Sequence, residues 1–141
     1  GRLVTKTVDS IIDGTFKTVP QADIKDVELT PAPKIFRDTC RINWNQPTKR
    51  IYDFIRGLSP YPAAWTTLDG KSVKIFETTK EPADTLACQP GHIISDGKSI
   101  LKVATADGFI NIATLQIEGK KRMAVPDLLR GYKLTESAFF C

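Results

Sequence analysis

The stretch from Ile93 to Ile117, IISDGKSILKVATADGFINIATLQI, decides the fold of this chain. Apolar and β-branched residues fill three short runs, and Asp-Gly dipeptides at 96–97 and 107–108 separate them. Asp-Gly between apolar runs is a strong signal for a hairpin turn, because glycine accepts the positive φ angle that such turns need. The stretch therefore predicts a meander of three antiparallel strands.

The same pattern occurs upstream of this stretch. Two further apolar runs, 64–68 and 73–76, flank a third Asp-Gly dipeptide at 69–70. About five short strands with no helices between them predict a mostly β fold built on a small antiparallel sheet. Closing the sheet into a barrel is the simplest way to remove its exposed edges, so we expect a small β-barrel flanked by short helices.

Three segments are expected to form helices. The clearest runs from Pro47 to Leu58, with Asn45 or Gln46 as the expected N-cap, and a shorter helix is expected near 126–130. The chain opens with a third helix that ends at Gly14, and its apolar stripe consists of Leu3, Val4, Val8, Ile11 and Ile12. Such a stripe either packs on a preceding domain or folds back on the core.

Composition argues against several classes of protein. No apolar run approaches the ~20 residues that span a bilayer, so no membrane partner is expected. The three cysteines are odd in number and widely spaced, which favours free thiols in a reducing cytoplasm over disulfides or a zinc site. The single histidine, His92, has no acidic or thiol residue at ligand spacing. We therefore predict no catalytic and no metal-binding residues.

The basic residues are unevenly distributed along the chain. Between Gly119 and Lys133 the only acidic residue is Asp127. The candidate nucleic-acid-binding residues are Lys120, Lys121, Arg122 and Arg130, together with Lys49, Arg50 and Arg56 on the predicted outer face of the 47–58 helix. These side chains form either a solvated surface or a patch that contacts phosphates.

Aromatic residues near two prolines allow a second kind of contact. Pro60 and Pro62 set φ on both sides of Tyr61 and predict an extended loop that leads into Trp65. Packing in the core or in loops is one interpretation of Tyr61, Trp65 and Trp44, and stacking on bases is the other.

Seven short motifs occur in an order that resembles a known family. They are INWNQP at 42–47, IRGLSPYPAAW at 55–65, LDGK at 68–71, ATADG at 104–108, LQ at 115–116, GKKRM at 119–123 and LLRG at 128–131. Together they resemble the carboxy-terminal domain of the methionyl-tRNA formyltransferase family over nearly all of 39–134. One departure is Ala124, since many relatives place a capping Ser there.

The resemblance implies an oligonucleotide/oligosaccharide-binding-like barrel that has no catalytic role. In the family, an Asn, a His and an Asp of an amino-terminal domain move the formyl group of 10-formyltetrahydrofolate to methionine on initiator tRNA. None of these three has a matching position here, so no cofactor is expected in this chain. The implied partners are the phosphates of initiator tRNA and the amino-terminal catalytic domain.

With the resemblance, the chain divides into four parts. Residues 1–14 are expected to be the terminal helix of a missing catalytic domain, 15–40 an interdomain linker, 41–134 the barrel domain, and 135–141 a tail that is frayed or packed in a surface groove. Two alternatives stay open. The chain could belong to a sugar-nucleotide formyltransferase or a formyltetrahydrofolate hydrolase, or it could be a purely structural domain whose basic residues scatter.

Overall fold

The computed structural model describes residues 1–24, 28, 30–83, 88–135 and 138–141. The chain forms two compact units, Gly1–Lys34 and Ile35–Cys141. Within the described residues, none of the helices has the length and apolar character that crossing a membrane would require.

The first unit contains helix α1, Arg2–Ile12, and a short 3-10 turn, Gln21–Asp23. The predicted helix and its terminator are confirmed, because Gly14 has a φ of 65° and the next N–H, that of Thr15, bonds to the carbonyl of Ser10 at 2.9 Å. No residue of α1 is buried. Residues 25–27 and 29 of the predicted linker lie outside the described part of the chain.

The second unit is built on six antiparallel strands, which confirms the predicted mostly β fold. The strands are β1 Ala64–Leu68, β2 Lys71–Pro82, β3 Ile93–Ser95, β4 Leu101–Ala104, β5 Gly108–Ile117 and β6 Met123–Ala124. Their order is β1-β2-β5-β4-β3, with β6 on β5. The predicted meander is therefore β3-β4-β5, and its last strand pairs with the long strand β2.

The Asp-Gly turns differ from one another in detail. Asp69 and Gly70 have φ angles of 49° and 75° and form a two-residue hairpin between β1 and β2. Asp96 instead begins a longer loop, because its carboxylate accepts the N–H groups of Lys98, Ser99 and Ile100. These backbone hydrogen bonds, with that of Ile100 the largest cause, hold the pKa of Asp96 well below its usual range.

Helix α2, Thr48–Leu58, lies close to its predicted position, but its predicted cap is wrong. Neither Asn45 nor Gln46 caps the helix; the carboxylate of Asp107 accepts the Thr48 N–H at 2.6 Å and the Thr48 hydroxyl at 2.7 Å. A carboxylate from a distant turn thus satisfies a free N–H at the start of the helix. The hydrogen bond from the Thr48 N–H is the largest cause, and that from the Thr48 hydroxyl the second, of the lowered pKa of Asp107.

The core lies between the sheet and two helices. Helix α3, Val125–Leu129, follows β6 at the place predicted for a short helix. Ile51 and Ile55 of α2 pack in one cluster with Leu128 of α3 and with the inward-facing strand residues, which include Val73, Ile75, Leu101, Val103, Ile110 and Leu115.

The chain end bonds to both edges of the sheet. No strand pairing joins β1 to β3 within the described residues, so barrel closure by the strands themselves is not found. Instead Phe140 N–H donates to Gly91 O at 2.9 Å beside β3, and Cys141 exchanges two backbone hydrogen bonds with Thr67 of β1. Phe140 is buried in the core, so the expectation of a frayed or groove-packed chain end is wrong for this residue.

Candidate nucleic-acid interface

Lys120 and Lys121 lie at the tip of the turn that joins β5 to β6. Gly119 has a φ of 78°, and the N–H of Lys120 bonds to Ile117 O at 2.9 Å, which closes the turn. The side-chain amide of Gln116 donates to Lys120 O at 2.8 Å and fixes the turn to the sheet. Both lysines are exposed, and neither forms an ion pair with a described residue.

Arg122 has a different environment from its two neighbours. Its Nη2 lies 2.6 Å from Glu77 Oε1, and its guanidinium carbon lies 4.4 Å from the centre of the Phe76 ring. The other Glu77 oxygen accepts the hydroxyl of Thr114 at 2.7 Å. The register of β2 and β5 shifts on both sides of Glu77, and this bulge leaves both Ile75 and Phe76 buried. Arg122 is thereby held against β2.

The basic residues of α2 also include both cations in ion pairs and a cation without one among the described residues. Lys49 and Arg56 both bond to Asp53, at 2.8 Å and 3.5 Å, and the hydrogen bond from Lys49 is the main cause that lowers the pKa of Asp53. Arg50 is exposed and has no ion pair with a described residue. Arg56 also lines a surface hollow of about 270 Å³ together with Glu77. Among the described residues, Arg56 forms its ion pair with Asp53, whereas Glu77 pairs with Arg122.

Arg130 is not joined to the rest of the predicted set. It follows α3 and pairs with Asp127 at 3.1 Å. Among the described residues, no hydrogen bond or ion pair connects it to α2 or to the β5–β6 turn.

Sequence reasoning missed three cations, Arg37, Arg41 and Lys74. The Arg37 and Arg41 guanidinium carbons lie 5.3 Å and 5.5 Å from the centre of the Trp65 ring. Lys74 is opposite Trp65 in the β1–β2 register. None of the three forms an ion pair with a described acid.

The reasons that these cations were missed are local. Arg37 lay within the segment interpreted as a linker, and Arg41 lay just beyond it. Lys74 stands between the buried residues Val73 and Ile75, so strand alternation alone could have placed it on the outer face.

The site offers charged donors and no metal-binding set. The described residues include no group of three or more His, Cys, Asp or Glu side chains placed to hold a metal ion. Among the described residues, buried His92 Nδ1 has no hydrogen-bond partner, and the centres of the His92 and Phe139 rings lie 5.2 Å apart with their planes at 70°. Lysine and arginine donors on an exposed surface are suited to phosphate oxygens, which they contact without reading a sequence.

A family model and several known proteins match the chain. The model described as formyl transferase, C-terminal domain, matches residues 34–133. A methionyl-tRNA formyltransferase of Bacteroides fragilis is 57% identical over 144 residues, which cover 97% of this chain and 44% of that protein. One from Bacteroides thetaiotaomicron is 50% identical over 142 residues, covering 96% of this chain and 44% of the relative. The chain thus spans less than half the length of these curated relatives.

The fold also occurs in a solved structure. HypX from Aquifex aeolicus, in complex with tetrahydrofolic acid, superposes with a TM-score of 0.57 at 22% identity. The match covers 98% of this chain and 26% of that one. At this identity the likeness concerns the fold alone.

Proposed function

The chain belongs to the formyl transferase C-terminal domain family, and from that premise we propose that it is the tRNA-holding domain of a methionyl-tRNA formyltransferase. The parent enzyme would transfer a formyl group from 10-formyltetrahydrofolate to methionine on initiator tRNA in the bacterial cytoplasm. This domain would hold the tRNA through its phosphates, and an amino-terminal domain would perform the transfer. The names of the relatives that match 97% and 96% of the chain support this proposal.

The observation that carries the tRNA-binding part is the exposed pair Lys120 and Lys121. Both stand at a turn that is fixed to the sheet, and neither is neutralised by an ion pair with a described acid. A cation without an acidic partner can meet a phosphate without first losing an ion pair. We therefore assign the main phosphate contacts to Lys120, Lys121 and Arg50.

The four other predicted cations contribute less in this proposal. Arg122, Arg130, Lys49 and Arg56 each bond to a carboxylate. Exposed ion pairs are weak, typically below about 1 kcal/mol, so a phosphate can still compete for these side chains. In this proposal these four side chains make weaker, secondary contributions to the attraction of phosphates.

The geometry favours a large ligand over a small one at these residues. The lysine pair stands on an open turn, whereas small molecules bind in concave sites that enclose most of their surface. A small-molecule role for the domain would leave these exposed lysines without a ligand.

The test is tRNA binding by the purified chain over a range of salt concentrations. With ~3 to 5 phosphates neutralised, raising salt from ~50 to ~200 mM should weaken binding by about one and a half to two and a half decades. The double variant Lys120→Ala/Lys121→Ala should lose affinity for initiator and elongator tRNA alike, and its salt slope should fall by about one to two units.

The matched control is Lys6→Ala/Lys98→Ala, which removes two exposed lysines elsewhere on the chain. It produces the same change in net charge and should retain most of the affinity and slope. If both double variants bind like the parent, the lysine pair is only a solvated surface. Product formed by the chain alone from 10-formyltetrahydrofolate and charged initiator tRNA would disprove the assignment of catalysis to another domain.

A further inference from the structure

We propose that a cleft beside Tyr61 binds one unpaired nucleotide, with the base against Tyr61 and a phosphate at Arg37 and Lys74. The Tyr61 cleft is lined by Arg37, Tyr61, Trp65, Lys74, Gln116 and Glu118, among others. It has a volume of about 490 Å³, within the usual range for small-ligand sites. The proposal rests on the proposed function only in taking RNA as the ligand class, and none of the cations assigned above lines this cleft.

The charge of the cleft favours an anion. Arg37 and Lys74 have no acidic partner among the described residues, and Glu118 is the only acid in the wall. Glu118 Oε2 already accepts the N–H of Ser72 at 3.1 Å. The wall therefore carries two cations and one carboxylate, a net positive charge.

Trp65 positions the arginine. Its Nε1–H donates to Arg37 O at 2.8 Å, and the Arg37 guanidinium carbon lies 5.3 Å from the ring centre. A guanidinium held over an aromatic face keeps N–H groups at its edge for a phosphate, and it loses little freedom on binding because it is already ordered. Lys74 stands across from Trp65 in the sheet, on the same face.

Tyr61 supplies the surface for the base. Its side chain lines the cleft and is 87% exposed. Pro60 and Pro62 restrict the backbone on both sides of it, so the exposed ring is presented on a stiff loop. Trp44, by contrast, is buried and unavailable. An exposed aromatic ring beside cations that lack an acidic partner is the combination with which proteins hold single-stranded nucleic acid.

The experiment compares a short single-stranded oligoribonucleotide with the same sequence as a duplex. Tyr61→Ala should bind the single strand roughly 5- to 150-fold more weakly than the parent, from the cost of losing one stacked base. Tyr61→Phe keeps the ring and should bind like the parent. Neither change should alter duplex binding, because paired bases cannot reach the ring. Thermal melting of both variants checks that this exposed position leaves the fold intact.

The outcomes separate this inference from the phosphate-binding lysines. If Tyr61→Ala binds the single strand like the parent, the Tyr61 cleft is not a nucleotide site. If Tyr61→Ala loses single-strand affinity, the cleft is supported, and tRNA binding by Lys120→Ala/Lys121→Ala tests the lysine assignment separately. If the parent chain binds tRNA but not the short single strand, the Tyr61 cleft proposal alone is overturned.

Discussion

The indole ring of Trp44 lies nearly parallel to the phenyl ring of Phe140, with centres 5.7 Å apart and planes 12° from parallel. Trp44 Nε1–H also donates to the hydroxyl of Thr66 at 3.1 Å, and that hydroxyl donates to Cys141 O at 2.9 Å. The last residues of the chain are thus tied to the same buried threonine as the tryptophan. The chain end is part of the core and bonds to both edges of the sheet.

Phe140→Ala should lower the free energy of unfolding by about 3–5 kcal/mol, because it removes a buried ring and leaves a cavity beside Trp44. Urea denaturation followed by Trp fluorescence measures the loss. The control is Tyr61→Ala, an exposed aromatic residue whose removal should cost less than about 0.5 kcal/mol. A loss below about 1 kcal/mol for Phe140→Ala would mean that the chain end is dispensable.

Deleting residues 1–14 should leave the stability of the Ile35–Cys141 unit unchanged within about 0.5 kcal/mol, because α1 has no buried residue. The apolar side chains of its stripe are 47% to 76% exposed. The same denaturation assay serves, with the full chain as reference. A loss of several kcal/mol would show that the helix is integral to the folded unit.

The carboxylate of Asp107 should make stability fall in acid. Its pKa is lowered in the folded state, mainly by the Thr48 N–H, so the stabilisation is fully present above the ordinary value of 3.8 and is lost as pH falls through the lower folded value. Asp107→Asn should lower the melting temperature at neutral pH, and its difference from the parent should shrink toward low pH. Asp9→Asn removes the same charge from α1 and should change the neutral melting temperature little. A difference for Asp107→Asn that is constant with pH would contradict the assignment.

Local signals explain how much of this fold the sequence predicted. The Asp69-Gly70 hairpin was predictable because the dipeptide itself supplies both positive φ angles. The α2 cap was not, because Asp107 and Thr48 are 59 residues apart and only the folded sheet brings them together. The placement of Phe140 is a long-range contact of the same kind.

The candidate site was predictable only in its charges. Sequence shows that Arg122 is basic, but its partner Glu77 lies 45 residues away on another strand. Which cations are free and which are paired depends on such contacts. Arg37 could not be recognised without Trp65, which lies 28 residues further along the chain. The Trp65 ring lies under the Arg37 guanidinium, and its Nε1–H donates to the Arg37 carbonyl.

Tyr132 should ionise late in an alkaline titration. Its hydroxyl lies 2.6 Å from Asp69 Oδ2, and this hydrogen bond is the main cause that raises the pKa of Tyr132 from 10.0 to about 12. The contact is therefore fully present below pH 10 and is lost as pH rises through 12. Ultraviolet absorbance of tyrosinate should show a phase near pH 12 that Tyr132→Phe removes and Tyr61→Phe retains. A phase that survives in Tyr132→Phe would refute the assignment.

The ion pair between Arg122 and Glu77 provides the sharpest test of the basic surface. Glu77→Gln should remove the charge that now holds the Arg122 guanidinium at 2.6 Å, while the amide oxygen still accepts the Thr114 hydroxyl. Arg122 then becomes available to a phosphate. Affinity for tRNA should rise, and the salt slope should steepen by up to about one unit, the contribution of one phosphate contact. Filter binding at several salt concentrations measures both quantities.

The control for this variant is Asp127→Asn, which frees Arg130 and produces the same change in net charge. Arg130 has no described contact with the β5–β6 turn, so its release should raise affinity less. Equal gains in the two variants would mean that only net charge matters. If Glu77→Gln binds tRNA as the parent does, with the same salt slope, Arg122 lies outside the interface, and the phosphate contacts must then be sought at Lys120, Lys121 and Arg50 alone.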